Sequence, residues 1–80
     1  MIPELKKGRK LVGTKQALKA VTNDEVEAVF IAEDADTKVI RELINMCKEK
    51  NIEIYYISSM KELGKACGID VRAASAALLK

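Results

Sequence analysis

The 80-residue sequence contains no histidine and only one proline, two cysteines and three aromatic residues (two tyrosines and one phenylalanine). Without histidine there is no imidazole base for catalysis and no Cys–His set for zinc. Cys47 and Cys67 lie far apart in apolar helical patterns, which predicts small buried side chains in a reducing compartment. Motifs for a nucleophilic serine or a phosphate-binding loop are also absent. The sequence therefore predicts a protein that is not an enzyme and holds no metal or cofactor.

Long apolar runs are missing as well. No stretch approaches the ~18–20 residues that are needed to cross a bilayer, and the basic first ten residues are not followed by the apolar segment of a signal peptide. These features predict a cytoplasmic chain without a membrane partner. Hydrophobic residues make up 49% of the chain and charged residues 32%, a balance that favours a packed core over disorder. A single small domain over residues 1–80 is expected.

Charge is unevenly distributed, although the formal net charge is only +2. Residues 1–20 contain six basic side chains and one acidic one, whereas residues 21–40 contain one basic side chain and six acidic ones. A basic segment of this kind suits an anionic partner. A solvated surface that serves only solubility explains the same pattern equally well.

Apolar periodicity and turn residues predict short strands that alternate with short helices. The segment 26–32 is almost continuously apolar and rich in β-forming residues, which is typical of a strand buried on both faces. Further strands are expected at 11–12, 52–57 and 73–79. Crossover connections would make part of the sheet parallel and cover both of its faces. The predicted fold class is therefore α/β: a three-layer α/β/α sandwich with a mixed sheet of about four strands.

Helix signals fall between these strands. Thr14 is expected to cap the first helix, and Ser59 with Glu62 forms a capping-box pattern that opens the third. The apolar residues of the second helix recur at helical spacing, at Val39, Ile40, Leu43, Ile44 and Cys47. The loop before that helix, 33–36, carries three acidic residues. For these residues, helix capping in a solvated loop is favoured over a magnesium site.

The strongest local pattern is Gly-Thr-Lys-Gln-Ala-Leu-Lys at 13–19. Gly13 permits close backbone approach, and the helix that follows presents free N–H groups at its start. Lys15 and Lys19, four residues apart, should share the exposed face with Gln16 beside them. Lysine and amide side chains can bond base edges as well as phosphates. The segment is therefore suited to nucleotide recognition, with an ordinary exposed amphipathic helix as the alternative.

Four blocks of the sequence together resemble the kink-turn RNA-binding family, which includes archaeal and eukaryotic ribosomal proteins and box C/D ribonucleoproteins. They are 13–19, 29–36 (Val-Phe-Ile-Ala-Glu-Asp-Ala-Asp), 63–69 (Leu-Gly-Lys-Ala-Cys-Gly-Ile) and 73–77 (Ala-Ala-Ser-Ala-Ala). The bacterial YbxF-type members are the most similar. The resemblance extends from about residue 9 to the C-terminus. It implies binding to kink-turn or kink-turn-like RNA, which has tandem sheared G·A pairs and a flipped-out loop nucleotide.

The resemblance also implies which residues contact RNA. Gly13 and Thr14 would bring the backbone close to the kink. The side chains that would face the sheared pairs are Lys15, Gln16 and Lys19. A pocket for the flipped-out nucleotide would be lined by Asp36, Ile40 and Met60. Unstacked loop bases would be covered by Ile69 and Val71, and Arg72 is included in the interface. For Ile69 and Val71, the residues alone favour simple core packing.

The expected partner is thus RNA, bound by a monomer, and association with the ribosome is left open. Two other roles also remain: a structural protein of the large ribosomal subunit, and a protein-interaction module that has lost RNA binding.

Overall fold

Strands and helices alternate along the chain in the computed structural model, which describes residues 9–69 and 71–80. The elements are β1 (Lys10–Val12), α1 (Thr14–Thr22), β2 (Val26–Ala32), α2 (Thr37–Glu49), β3 (Glu53–Ile57), α3 (Met60–Ala66) and β4 (Ser75–Leu79).

The four strands form one mixed sheet in the order β1-β4-β2-β3. β2 and β3 are parallel, with Phe30 opposite Tyr55. β4 runs antiparallel to both of its neighbours and places Ala76 opposite Val12. The ends of β1, β2 and β3 therefore lie beside the start of β4. We call this part of the molecule, where all three helices begin, the upper end, and the opposite part the lower end.

Helices cover both faces of the sheet. α1 packs against α2 and β4, whereas α3 packs against β2, β3 and β4. The predicted three-layer α/β/α sandwich is thus confirmed. Every residue of β2 except Glu27 is buried, as expected of a central strand. The largest fully buried side chains include Phe30, Ile31, Leu43 and Leu63, each of which stabilises the fold by about 1.5–3 kcal/mol through burial.

The closing strand forms from a run of small residues, although alanine is a poor strand former. β4 lies between β1 and β2, and its residues from Ser75 to Leu78 are buried. Small side chains fit between the helical layers at this position, so packing outweighs the intrinsic preference. The strand begins at Ser75, and the predicted residues Ala73 and Ala74 belong to the loop before it.

The prediction that Thr14 caps α1 is wrong. The capping position is occupied by Gly13, with φ 111°, and no side chain bonds the first turn. Thr14 is instead the first helical residue, and its hydroxyl lies 2.7 Å from the hydroxyl of Ser75 in β4. The threonine hydroxyl thus contacts the sheet and caps no amide of its own helix. The cap predicted for α3 is confirmed, because the hydroxyl of Ser59 accepts a hydrogen bond from the N–H of Glu62.

Both cysteines are free thiols buried in the core, as the sequence predicts. Burial removes the thiolate from water and so raises the pKa of Cys47 to about 11. The pKa of Cys67 is raised by the same cause. Over the residues that the structure describes, no helix is long and apolar enough to cross a membrane.

Candidate nucleic-acid interface

The upper end brings four segments of the chain together through backbone hydrogen bonds. The N–H of Gly13 donates to the carbonyl of Ser75 at 2.9 Å, and the N–H of Ala32 donates to that of Ala74 at 3.0 Å. The N–H of Glu33 donates to the carbonyl of Ile57 at 2.8 Å. The starts of α1 and α2 thus lie at the same end of the sheet, and helix starts carry partial positive charge. This end of the molecule is suited to an anionic ligand.

The hydroxyl of Thr14 has a defined orientation because of its partner. Ser75 is fully buried, and its side chain bonds no other group among the described residues. A buried hydroxyl that donates to nothing is costly. The contact with Thr14 therefore satisfies the Ser75 hydroxyl and links the start of α1 to β4. Thr14 also lines a surface groove with Lys15, Leu18, Val39 and Glu42.

The polar side chains of α1 are exposed but lie on two different grooves. Lys15 shares the groove of Thr14, whereas Gln16 and Lys19 lie on a neighbouring groove that also includes Leu11. The structure therefore brings Gln16 and Lys19 together and places Lys15 beside them. A ligand that contacts all three side chains must extend across the first two turns of α1.

Asp36 lies at the start of α2 and is exposed. Its carboxylate accepts a hydrogen bond from the N–H of Lys38 at 2.9 Å, so the capping role predicted for the acidic loop is confirmed. Ile40, predicted to line the same pocket, is only 7% exposed and belongs to the core. Met60 is half-buried at the start of α3. Of the three predicted pocket residues, Asp36 is therefore the most accessible.

Ile69, Val71 and Arg72 line one cleft of about 340 Å³ at the surface. Val71 is 67% exposed, so the alternative that it packs in the core is wrong. Ile69 is half-buried and packs against the core. This cleft joins an exposed aliphatic side chain to a guanidinium group, a combination that can cover a base and neutralise a phosphate.

Gly64 holds the segment with Val71 against α3. The N–H of Ile69 donates to the carbonyl of Gly64 at 3.1 Å. A methyl group on Gly64 would overlap the carbonyl oxygen of Val71. Only glycine at this position therefore lets the segment lie directly on the helix.

Two lysines that were not among the predicted contact residues lie in the candidate interface, and one apolar residue of α2 is exposed there. Lys61 and Lys65 line the cleft of Val71. They are spaced four residues apart, as Lys15 and Lys19 are, so the signal was present in the sequence. Val39 belongs to the apolar pattern of α2, but its side chain is 49% exposed beside Lys15. It lies in the first turn of α2, at the rim of the molecule, where the helix has no full layer of neighbours.

These features define a class of protein: a small α/β/α binding domain with cations and exposed aliphatic side chains around its helix starts. A sequence model of the Ribosomal protein L7Ae/L30e/S12e/Gadd45 family matches residues 2–80. The chain belongs to this family. The membership that the four sequence blocks predicted is thereby confirmed.

Several relatives have similar sequences or structures. An RNA-binding protein of Caldanaerobacter subterraneus is 54% identical over 69 residues, which cover 86% of this chain and 84% of the relative. The RNA-binding protein YbxF of Geobacillus stearothermophilus is 41% identical over 76 residues, which cover 95% and 93%. The solved structure of a Giardia lamblia 15.5kD RNA binding protein superimposes with a TM-score of 0.83 at 33% identity. That match covers 89% of this chain and 60% of the Giardia chain.

Proposed function

We propose that the chain is an RNA-binding protein that recognises a kink-turn or kink-turn-like element. The observation that carries the proposal is the set of exposed groups around two helix starts: Lys15 shares a groove with Thr14 at the start of α1, and Lys61, near the start of α3, shares a cleft with the exposed side chain of Val71. The relatives described as RNA-binding proteins support the same class of ligand.

A kinked RNA fits this surface better than a regular duplex does. The major groove of A-form RNA is too narrow for side chains to read, so specificity is directed at bulges and unstacked bases. Val71 offers an unstacked base an apolar contact, and the cations beside it offer charge to the backbone. A continuous duplex would use the charges but leave the aliphatic surface exposed.

Each group of residues has a proposed role in this complex. The backbone at Gly13 and Thr14 approaches the kink, and the tandem sheared G·A pairs face Lys15, Gln16 and Lys19. The flipped-out loop nucleotide binds at Asp36 and Met60, and the buried side chain of Ile40 supports this site from the core. Unstacked bases are covered by Ile69 and Val71, and Arg72 binds the adjacent phosphate.

The protein is proposed to act in the cytoplasm as a monomer. Association with the ribosome is a separate property, which co-sedimentation with ribosomes in high salt measures. If the protein stays with the ribosomes in high salt, it has a ribosomal role. If it is released from them, it binds RNA as a free protein.

The decisive experiment is a gel shift at physiological salt with two RNAs. One is a simple kink-turn duplex, and the other is the same duplex with the bulge deleted. The proposal predicts preferential binding of the kink-turn. Equal affinity for the two RNAs would contradict it, because charge alone does not distinguish them.

A further inference from the structure

The carboxylate of Asp34 bonds a helix that lies far away in the sequence. Asp34 follows β2, and its Oδ1 accepts a hydrogen bond of 2.7 Å from the N–H of Met60, 26 residues later. Met60 is the first residue of α3, and N–H groups in a first turn have no acceptor within their own helix. The aspartate therefore supplies the acceptor that this amide needs.

Met60 also bonds the segment that carries Val71 and Arg72. Its carbonyl accepts a hydrogen bond of 3.1 Å from the N–H of Ala73. One peptide segment at Met60 is thus linked through its N–H to the acidic loop and through its carbonyl to the segment before β4. Because Asp36 belongs to that acidic loop, the Asp34–Met60 bond ties two parts of the proposed RNA surface together.

We propose that Asp34 is a positioning residue for RNA binding: its bond to Met60 sets the location of Val71 and Arg72 relative to Asp36. This inference rests on the proposed function. Loss of the bond should displace the segment rather than unfold α3, because Ser59 still caps that helix through Glu62. Asp34 is exposed and needs no contact with RNA in this role.

The sign of the expected effect separates positioning from charge. A carboxylate near a bound polyanion is repulsive, so simple removal of its charge should tighten binding. Positioning predicts the opposite for a variant that loses the acceptor. It also predicts that asparagine, which keeps a side-chain oxygen at the same distance from the backbone, preserves binding.

The experiment compares Asp34→Ala, Asp34→Asn and the matched control Glu33→Ala on the kink-turn duplex and on its bulge-deleted form. Glu33 is an exposed acidic neighbour whose side chain bonds no group in the described part of the chain. Asp34→Ala should weaken kink-turn binding on the order of fivefold, as expected for loss of a capping acceptor. Asp34→Asn and Glu33→Ala should show no loss.

Asp34→Glu provides a second test and replaces the alanine variant if that variant does not fold. This variant keeps the charge but displaces the carboxylate by one methylene group. Positioning therefore predicts weaker RNA binding, whereas a pure charge effect predicts unchanged RNA binding. Two results would overturn the proposal. In one, Asp34→Ala and Asp34→Asn bind as well as Glu33→Ala does. In the other, both weaken binding equally, which would mean that RNA contacts the charged carboxylate itself.

Amide hydrogen exchange of the free protein distinguishes failure of this inference from failure of the proposed function. The N–H of Ala73 should exchange faster in Asp34→Ala than in Asp34→Asn, whether or not RNA binds. If the wild-type chain does not prefer the kink-turn, the proposed function is wrong, and the exchange of Ala73 alone decides whether Asp34 positions the segment. Unchanged exchange in Asp34→Ala would contradict positioning.

Discussion

The two ends of the sheet use charged side chains differently. At the lower end, Lys50 forms a 2.8 Å ion pair with Asp24 and also donates to the carbonyl of Thr22 at 3.2 Å. Among residues 9–69 and 71–80, this is the one ion pair. At the upper end, the acidic side chains of Asp34 and Asp36 accept hydrogen bonds from backbone amides. The charged pair at the lower end thus links the end of α2 to the end of α1. At the upper end, the acidic side chains bond backbone amides instead of the exposed lysines.

The largest expected effect comes from Gly64, which lies directly against the backbone of Val71. Gly64→Ala should destabilise the fold by about 1–3 kcal/mol, as overpacking does, and should displace Val71 enough to abolish the kink-turn preference. Urea unfolding and gel shifts measure the two effects.

Gly68→Ala is the matched control. Gly68 has φ 77° and open space around its Cβ position, so this variant should lose stability through backbone strain and still bind. Wild-type RNA binding by Gly64→Ala would contradict the account of the cleft.

Two exposed lysines, one inside the proposed interface and one outside it, can be compared directly. Lys19 lies on a groove of α1, and Lys48 lies near the end of α2 at the lower end. Lys19→Ala should cost roughly 1–3 kcal/mol of kink-turn binding, by analogy with base readout in DNA grooves, with little change for plain duplex. Lys48→Ala should change neither affinity by more than a few tenths of a kcal/mol. The measurement is a salt titration of both variants on both RNAs. A uniform loss with Lys19→Ala would show that this lysine is only a point charge.

The Thr14–Ser75 pair tests whether hydroxyl orientation matters at the upper end. Thr14→Val removes the hydroxyl while retaining the shape, and Thr14→Ser restores it. Ser75→Ala removes the buried partner of Thr14. Each loss should weaken RNA binding by about 1 kcal/mol, and the double variant should lose little more than either single one. A double-mutant cycle on affinity gives this coupling. Additive losses would mean that the two hydroxyl groups act independently.

The smallest effect is expected at the lower end, where Asp24 contributes to the pH dependence of folding stability. The hydrogen bond and charge of Lys50 lower the pKa of this carboxyl below its ordinary value. A lowered folded-state pKa contributes stability above the unfolded-state pKa of about 3.9. That contribution is lost as the pH falls through the folded-state pKa. Asp24→Asn should therefore slightly reduce the acid dependence of stability in low salt, without affecting RNA binding, because an exposed pair contributes little. Acid unfolding curves of both proteins measure this difference.

The sequence was sufficient for the layers of the fold and for the acidic caps. The apolar run of β2 and the turn residues around it follow from local rules, and so does the cap at Asp36. Contacts between distant segments were not predictable in this way. Thr14 satisfies the rules for a capping residue, yet a partner 61 residues away determines its role. Val39 satisfies the periodicity of a buried position, but the rim of the molecule leaves it exposed.

The exposure of candidate site residues was predictable where residue type and local position sufficed, as for Gln16 and Lys19 on α1. The geometry of the site depends on close approaches that no local pattern encodes. The bond from Asp34 to Met60 and the contact of Gly64 with the backbone of Val71 both join segments that only the folded sheet brings together.

The most direct measurement of the difference between the ends is a titration of the isotopically labelled protein with kink-turn RNA, followed by amide chemical shifts. If RNA binds at the proposed interface, the shifts should concentrate in residues 13–19, 34–36 and 71–74. The amides at the lower end, including Asp24, Lys50 and Glu53, should change little. Shifts centred on the lower end, or spread evenly over both ends, would contradict the proposed interface.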